Sequence, residues 1–416
     1  MDDVYIESLH VSSVRQFDQF NIVFNKGFNF IAGPNGCGKT SILTCIAHCF
    51  SGVDSSSRFD ENSAFWVNIT NADNKYRVGL GQGAFQKGAY RNPRIQLWAV
   101  PPTEADRISL DSSNHTRALA GFCPLFIGAS RSIKYKALAG MAREEAIEQS
   151  RRGYISNATN SLDGSWSPDI KQWLVNRYFI IDKEWAVEER LNWNHLLENL
   201  KEVGPFESCF TFVEIGRDHE PVFSVYGRLC YLEELSSGYQ AVLSIIANIF
   251  EWVESVNEVG SRSVKDAKGS VLIDELDLHL HPEWQLTLRD ALHTMFPNLQ
   301  FIVTTHSPHI LASAKANEVI AMPSGPFPLN CNVGPTSNSY AGWSTDQILL
   351  EVMDVQSLEN KLHEELVANA LDQIDKKSID GLRLAIVELS KVSHPNDSIV
   401  TVLGARLASL MATQND

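Results

Sequence analysis

The chain has 416 residues, and 50 acidic side chains against 35 basic ones leave a net charge of −15. That balance excludes a protein whose whole surface traps nucleic acid, and a content of 44% hydrophobic and 20% charged residues is that of an ordinary globular protein. No apolar stretch reaches the ~18 residues of a bilayer span. The acidic start Met1-Asp2-Asp3 lacks a secretion signal, and seven irregularly spaced cysteines predict reduced thiols and a cytoplasmic location.

The opening predicts strands. Val4 to Val11 and Val14 to Phe24 alternate with a period near two, and Phe28 to Ile31 is a third run. A glycine-rich turn and an apolar helix from Lys39 to Phe50 follow. From Ser51 to about Leu110 short strand-like runs (Ala64 to Thr70, Lys75 to Leu80, Ile95 to Val100) sit among Gly- and Asn-rich loops, which suits an antiparallel accessory sheet. Pro124 to Ile127 predicts a buried strand.

From Ile133 to about Val203 the chain reads as helical, with no heptad sustained long enough for a coiled coil. Two more strand runs, Cys209 to Ile215 and Pro221 to Tyr226, precede a long apolar helix from Gly238 to about Val256. Ser270 to Ile273 and Phe301 to Thr304 are short apolar strands, separated by a helix that opens at Pro282. Pro323, Pro326, Pro328, Gly334 and Pro335 punctuate a loop, and the last ~75 residues predict three or four helices.

Four segments carry chemistry. Gly33-Pro34-Asn35-Gly36-Cys37-Gly38-Lys39-Thr40 satisfies G-x-x-x-x-G-K-[ST] between a predicted strand and a predicted helix, which is the context the Walker A motif requires. Its glycines let backbone N–H groups from Asn35 to Ser41 curl around phosphate, with Asn35, Gly36, Cys37, Gly38, Lys39, Thr40 and Ser41 as ATP-binding residues. Lys39 reaches the β- and γ-phosphates, and the Thr40 hydroxyl holds Mg²⁺. Val271 to Glu275 is an apolar strand ending in two carboxylates. Asp274 fits beside the metal, and Glu275 fits the general base that orients and deprotonates water. Thr304-Thr305-His306-Ser307-Pro308 places an imidazole after another strand, either a γ-phosphate sensor or a satisfied turn histidine. Leu235-Ser236-Ser237-Gly238-Tyr239-Gln240 puts hydroxyls and a glycine at a helix N-terminus, an anion site or else a plain serine cap.

In this order the four segments resemble an ABC-type P-loop ATPase head: an α/β fold with a mixed sheet, an antiparallel accessory sheet, a helical insert and a helical C-terminal module. The resemblance implies that two subunits sandwich ATP, with Ser237 and Gly238 completing the site of the partner in a homodimer or higher homo-oligomer. It implies a division into an ATPase lobe at 1–130, a helical insert at 131–205, the rest of the head at 206–325 and a helical module at 326–416. The run Asp274-Glu275-Leu276-Asp277-Leu278-His279-Leu280-His281-Pro282 narrows it. This form resembles the soluble ATPases of the overcoming-lysogenization-defect group, and with Leu235 to Gln240 and Gly342 to Leu349 it looks most like the ATPases of Septu and retron-associated anti-phage systems. That likeness implies a regulator of an HNH-type nuclease partner, with no membrane association. The alternative is a DNA-repair or recombination ATPase that binds DNA directly.

The chain departs from the wider pattern after the strand at 124–128. Gly128-Ala129-Ser130-Arg131 stands where such heads bring a glutamine to the metal, so Ser130, Arg131 or the distant Gln96 takes that place. Arg131, Lys134, Lys136, Arg143, Arg151 and Arg152 concentrate positive charge, a candidate nucleic-acid contact or a solvated helix face. Cys45, His48 and Cys49 read as packing rather than as a zinc site. His279, His281, His306 and His309 read as part of a turn rather than as metal ligands.

Overall fold

The computed structural model describes residues 3–51, 59–86, 94–119, 121–204, 209–325, 328–355, 357, 360–394 and 397–414. Val4–Val14 (β1) and Phe17–Val23 (β2) form an antiparallel hairpin. Val14 closes the first strand rather than opening the second, because Arg15 takes a positive φ of 52° and turns the chain. Phe28–Ala32 (β3) is buried at every residue and runs into the phosphate loop and Lys39–Ser51 (α1). Ala64–Asn71 (β4) and Asn74–Leu80 (β5) form the next hairpin. Phe85–Gln86 (β6), Arg94–Ile95 (β7), Ile108–Asp111 (β8) and His115–Ala118 (α2) are short, and Leu125–Ile127 (β9) is fully buried.

The insert holds Ile147–Ser156 (α3), Ala158–Asp163 (α4), Ile170–Ile180 (α5) and Val187–Val203 (α6). A meander of Thr211–Ile215 (β10), Pro221–Val225 (β11) and Arg228–Tyr231 (β12) leads through one 3₁₀ turn into Ser237–Val256 (α7). Gly269–Ile273 (β13), Pro282–Met295 (α8), Leu299–Thr304 (β14), Pro308–Ser313 (α9) and Val319–Ala321 (β15) complete the α/β core. Leu329–Val333 (β16) and Thr345–Glu351 (α10) follow, then Lys361–Asp375 (α11), Ile379–Val392 (α12) and Ser398–Gln414 (α13).

Two sheets organise the head. One has six strands in the order β16-β2-β1-β4-β5-β8, antiparallel at its centre with β16 and β8 added parallel at the edges. The other is wholly parallel, in the order β15-β3-β14-β13-β9. Its strands are covered on both faces, which is why they appear in the sequence as unbroken apolar runs. The main core joins the six-stranded sheet to α1 and to Ile31, Phe126, Leu272 and Ile302 of the parallel sheet. Because those strands run the same way, their C-terminal ends meet at one edge and carry the phosphate loop, Asp274, Thr304 and Gly128 there. This is the ABC-type head with an accessory sheet that the motifs lead one to expect.

Further sequence expectations change, and the run Ile95 to Val100 is strand only at Ile95. Residues 131–146 contain no helix; helix begins at Ile147. Side chains hold that stretch extended by bonding its backbone: Ile133 N–H donates to Gln240 Oε1 (3.0 Å) and Ala142 N–H to Asn176 Oδ1 (3.0 Å). The segment after 325 is not helical throughout, since β16 pairs with β2 from Phe17 to Ile22. The chain divides into compact units at 1–354 and 355–416. Among the described residues the second holds three helices, with its own small core of Ala370, Leu382, Ala385, Leu389 and Leu403. A boundary at 205–206 lies outside the described residues.

A buried ion pair anchors the insert to α7. Arg177 bonds Glu254, whose carboxylate also accepts from Trp173 Nε1 (2.8 Å) and Asn192 Nδ2 (2.9 Å). With its lone pairs met in this way, the buried charge is tolerated.

Candidate nucleotide site

The phosphate loop is built around backbone that only glycine adopts readily. Gly36 and Gly38 have φ of 80° and 104°, and a Cβ on Gly38 would collide with the Gln16 amide and the Phe17 ring. Lys39 is buried, and its ammonium donates to the carbonyls of Gly33 (2.8 Å) and Pro34 (3.0 Å), inside the curl of the loop. Burial lowers the Lys39 pKa from the usual lysine value, while Asp277 and Asp274 act against that shift. Asn35, Gly36 and Thr40 are exposed at the mouth of the loop, and Cys37 is buried beneath it.

Thr40 Oγ1 lies 3.1 Å from both carboxylate oxygens of Asp274, and Thr304 Oγ1 donates to Asp274 Oδ1 at 2.5 Å. A hydroxyl and a carboxylate meeting at the phosphate loop are the hard oxygen donors that suit Mg²⁺. Glu275 follows with φ of 50°; its N–H donates to Thr304 Oγ1 (2.8 Å). Asp277 accepts from Thr305 Oγ1 (2.6 Å) and from the His306 N–H (3.1 Å), tying the turn after β13 to the turn after β14. The exposed His306 imidazole has its pKa lowered first by desolvation and then by the Lys39 charge, so it is neutral at neutral pH.

Among the three candidates for the missing glutamine, Arg131 is the one in contact with the Walker B turn. Its guanidinium donates to the carbonyl of Asp274, to that of Glu275 (3.0 Å) and to that of Gly128 (2.9 Å). Burial lowers it to about 10, which leaves it charged. Ser130 is exposed, and Gln96 is exposed after β7.

At the signature loop Ser236 is the N-cap of α7 but makes no capping hydrogen bond, and Ser236 and Ser237 are exposed. The first N–H groups of this 20-residue helix are therefore not taken up by a serine cap. Gly238 is buried, and a Cβ there would stand 3.1 Å from both the His279 carbonyl and the Trp284 ring. Among the described residues no hydrogen bond joins Ser237 or Gly238 to Lys39, Thr40 or Asp274.

Sequence reasoning passed over Arg15 and Gln16. Arg15 Nη1 donates to Ser41 Oγ (3.0 Å), and the Gln16 amide packs on Gly38. The signal available was a basic and an amide residue interrupting an otherwise alternating β-run. The basic stretch does not form one surface. Arg131 is internal, Lys136 pairs with Asp169, and Arg151 Nε bonds the Val256 carbonyl (2.7 Å). Cys45, His48 and Cys49 are fully packed, with burial pushing the Cys45 thiol up to about 12. His281 caps α8 through a 3.4 Å contact from the Glu283 N–H, and no metal-ligating cluster occurs among the described residues.

The chain is similar to several known proteins. Residues 8–96 match the family described as "AAA domain", and residues 222–312 match "AAA domain, putative AbiEii toxin, Type IV TA system". Septu protein PtuA of Bacillus thuringiensis is 27% identical over 415 residues, which is 97% of this chain and 98% of that one. The Retron Ec83 probable ATPase of Escherichia coli is 40% identical over 92 residues, 22% of this chain and 17% of that protein. A solved SMC head bound to the C-terminal winged-helix domain of ScpA aligns with a TM-score of 0.44 at 15% identity, over 81% of this chain and 99% of that one. The chain has the fold of an ABC-type P-loop ATPase head, and it resembles Septu protein PtuA along nearly its whole length.

Proposed function

We infer that the chain is a Mg²⁺-dependent ATPase whose nucleotide cycle switches a partner nuclease in bacterial anti-phage defence. The observation that carries this reading is the extent of the likeness to Septu protein PtuA, which takes in the C-terminal unit as well as the ATPase head.

The phosphate-loop N–H groups and Lys39 bind the triphosphate. Thr40 and Asp274 would hold Mg²⁺, which would supply neutralisation of the developing charge on the phosphates. Among the described residues the Glu275 carboxylate has no hydrogen-bond partner, so it is free to accept a proton from the attacking water. His306, whose backbone N–H is held by Asp277, would bond the γ-phosphate and register its loss. Ser237, Gly238 and the start of α7 complete the site of a second copy, so that ATP holds two heads together and hydrolysis releases them.

The decisive test is to purify the Glu275→Gln protein from its native locus with neighbouring genes intact. A stoichiometric HNH-type nuclease partner establishes the reading. Co-purifying nucleic acid without any protein partner favours the DNA-repair reading instead.

A further inference from the structure

A second opening lies behind the Walker B turn. It is a cavity of about 400 Å³ between the extended chain after β9, the link from α4 to α5, and one face of α7. That volume falls within the range of small-ligand sites, roughly 300–1,000 Å³. In a chain of net charge −15, the residues around it include four cations, Arg131, Lys134, Lys136 and Lys171, against one carboxylate, Asp169. Lys136 is paired with Asp169, and the buried Lys171 is held by Glu220 (2.5 Å) and Glu233 (2.9 Å). Two positive charges remain. Lys134 is exposed with no ion pair among the described residues, and Arg131 has only backbone carbonyls as partners.

The same wall contains two deeply buried polar groups that lack a partner. Arg131 and Asn248 are 5% and 4% exposed, yet Arg131 Nη1 and Asn248 Oδ1 make no hydrogen bond to the described residues. Buried polar atoms are nearly always satisfied in a folded protein. An unused guanidinium donor matches an anionic oxygen, and an unused amide oxygen matches an N–H or O–H. Trp166, held edge-to-face by Tyr154 (5.4 Å between rings), adds an aromatic surface to the lining.

We propose that this cavity binds a nucleoside monophosphate. Its dianionic phosphate sits between Arg131 and Lys134, its base lies against Trp166, and a base or ribose donor meets Asn248 Oδ1. An inorganic phosphate satisfies the charge but leaves most of the volume and the Asn248 oxygen unmet. Because Arg131 also holds the carbonyls of Asp274 and Glu275, occupancy reaches the Walker B turn directly and alters the ATPase rate. That regulatory consequence rests on the ATPase reading above; the binding itself does not.

The test is calorimetric titration of the full-length protein with AMP, GMP, CMP and UMP, in the presence of Mg²⁺ and a saturating non-hydrolysable ATP analogue. Saturable binding of at least one of them, at one site per chain, is expected. Lys134→Glu, a change at an exposed side chain, and Asn248→Leu each weaken it about tenfold or more. Lys39→Ala, titrated without the analogue, retains it. No saturable binding overturns the proposal, as does binding lost in Lys39→Ala but kept in Lys134→Glu, which places the ligand in the phosphate loop. Equal affinity for inorganic phosphate, or binding only of a 5′-phosphorylated oligonucleotide, overturns it as well. The calorimetry reads out even if the wild-type protein shows no ATPase activity, so the two readings fail separately.

Discussion

Thr40 and Asp274 are 234 positions apart in the chain, and the Thr40 hydroxyl stands 3.1 Å from each oxygen of the Asp274 carboxylate. The parallel sheet makes this contact. Strands β3 and β13 flank β14 and run in the same direction, so the residues following each strand converge. Thr304 closes the group from the middle strand by bonding both Asp274 and the Glu275 backbone.

Glu275→Gln removes the proton acceptor and leaves the backbone bond to Thr304 in place. Turnover is expected to fall by at least about 10²-fold, the usual contribution of a general base, while ATP binding persists and an ATP-bound dimer accumulates. Single-turnover kinetics with size-exclusion chromatography reads both outcomes. Hydrolysis at the wild-type rate removes Glu275 from this role.

Gly238→Asp places a carboxylate at the start of α7, against the His279 carbonyl and Trp284. ATP binding is expected to survive and hydrolysis to stop. Mixing with Lys39→Ala protein, whose own phosphate loop is disabled but whose signature loop is intact, restores part of the activity if the loop acts across the dimer. Activity that does not respond to mixing rules out the two-headed sandwich.

Arg131→Lys keeps the charge but loses the planar fork that spans the carbonyls of Gly128, Asp274 and Glu275. The Walker B turn is then less firmly set. kcat is expected to drop about tenfold, ~1.4 kcal/mol of barrier, with little change in KM. An equal loss after Ser130→Ala would point to Ser130 instead.

Glu251 has its pKa raised to about 8, by burial first and then by Glu254, Glu145 and Glu144. Arg143, Arg177 and Arg262 line the same small cavity. The folded protein therefore binds a proton that the unfolded chain has released above the ordinary glutamate range. Stability falls as pH rises from about 4.5 towards 8. Glu251→Gln is expected to melt a few degrees higher than wild type at pH 8 and equally at pH 4.5, as followed by calorimetric thermal scans. Parallel melting curves at every pH would show that Glu251 is ionised in the fold.

The sequence by itself determined where the candidate chemistry lies. A phosphate loop needs its glycines, lysine and hydroxyl within one turn of chain, and Val271 to Glu275 shows its role as a buried strand ending in two acids, so these features are local and legible. Strands buried on both faces are equally plain, because every residue from Gly269 to Ile273 must be small or apolar. The tertiary structure alone decided which of the neighbours Ser130 and Arg131 touches the Walker B turn, since only the approach of β9 to β13 brings the Arg131 guanidinium onto its carbonyls. It also dispersed the basic stretch, in which Arg131 is buried against the Walker B carbonyls and Arg151 bonds the Val256 carbonyl. It held 131–146 extended through side chains of α5 and α7, and it drew β16 onto the edge of β2. Each of these depends on a contact between distant segments, and the energy of such a contact is written in no single stretch of sequence.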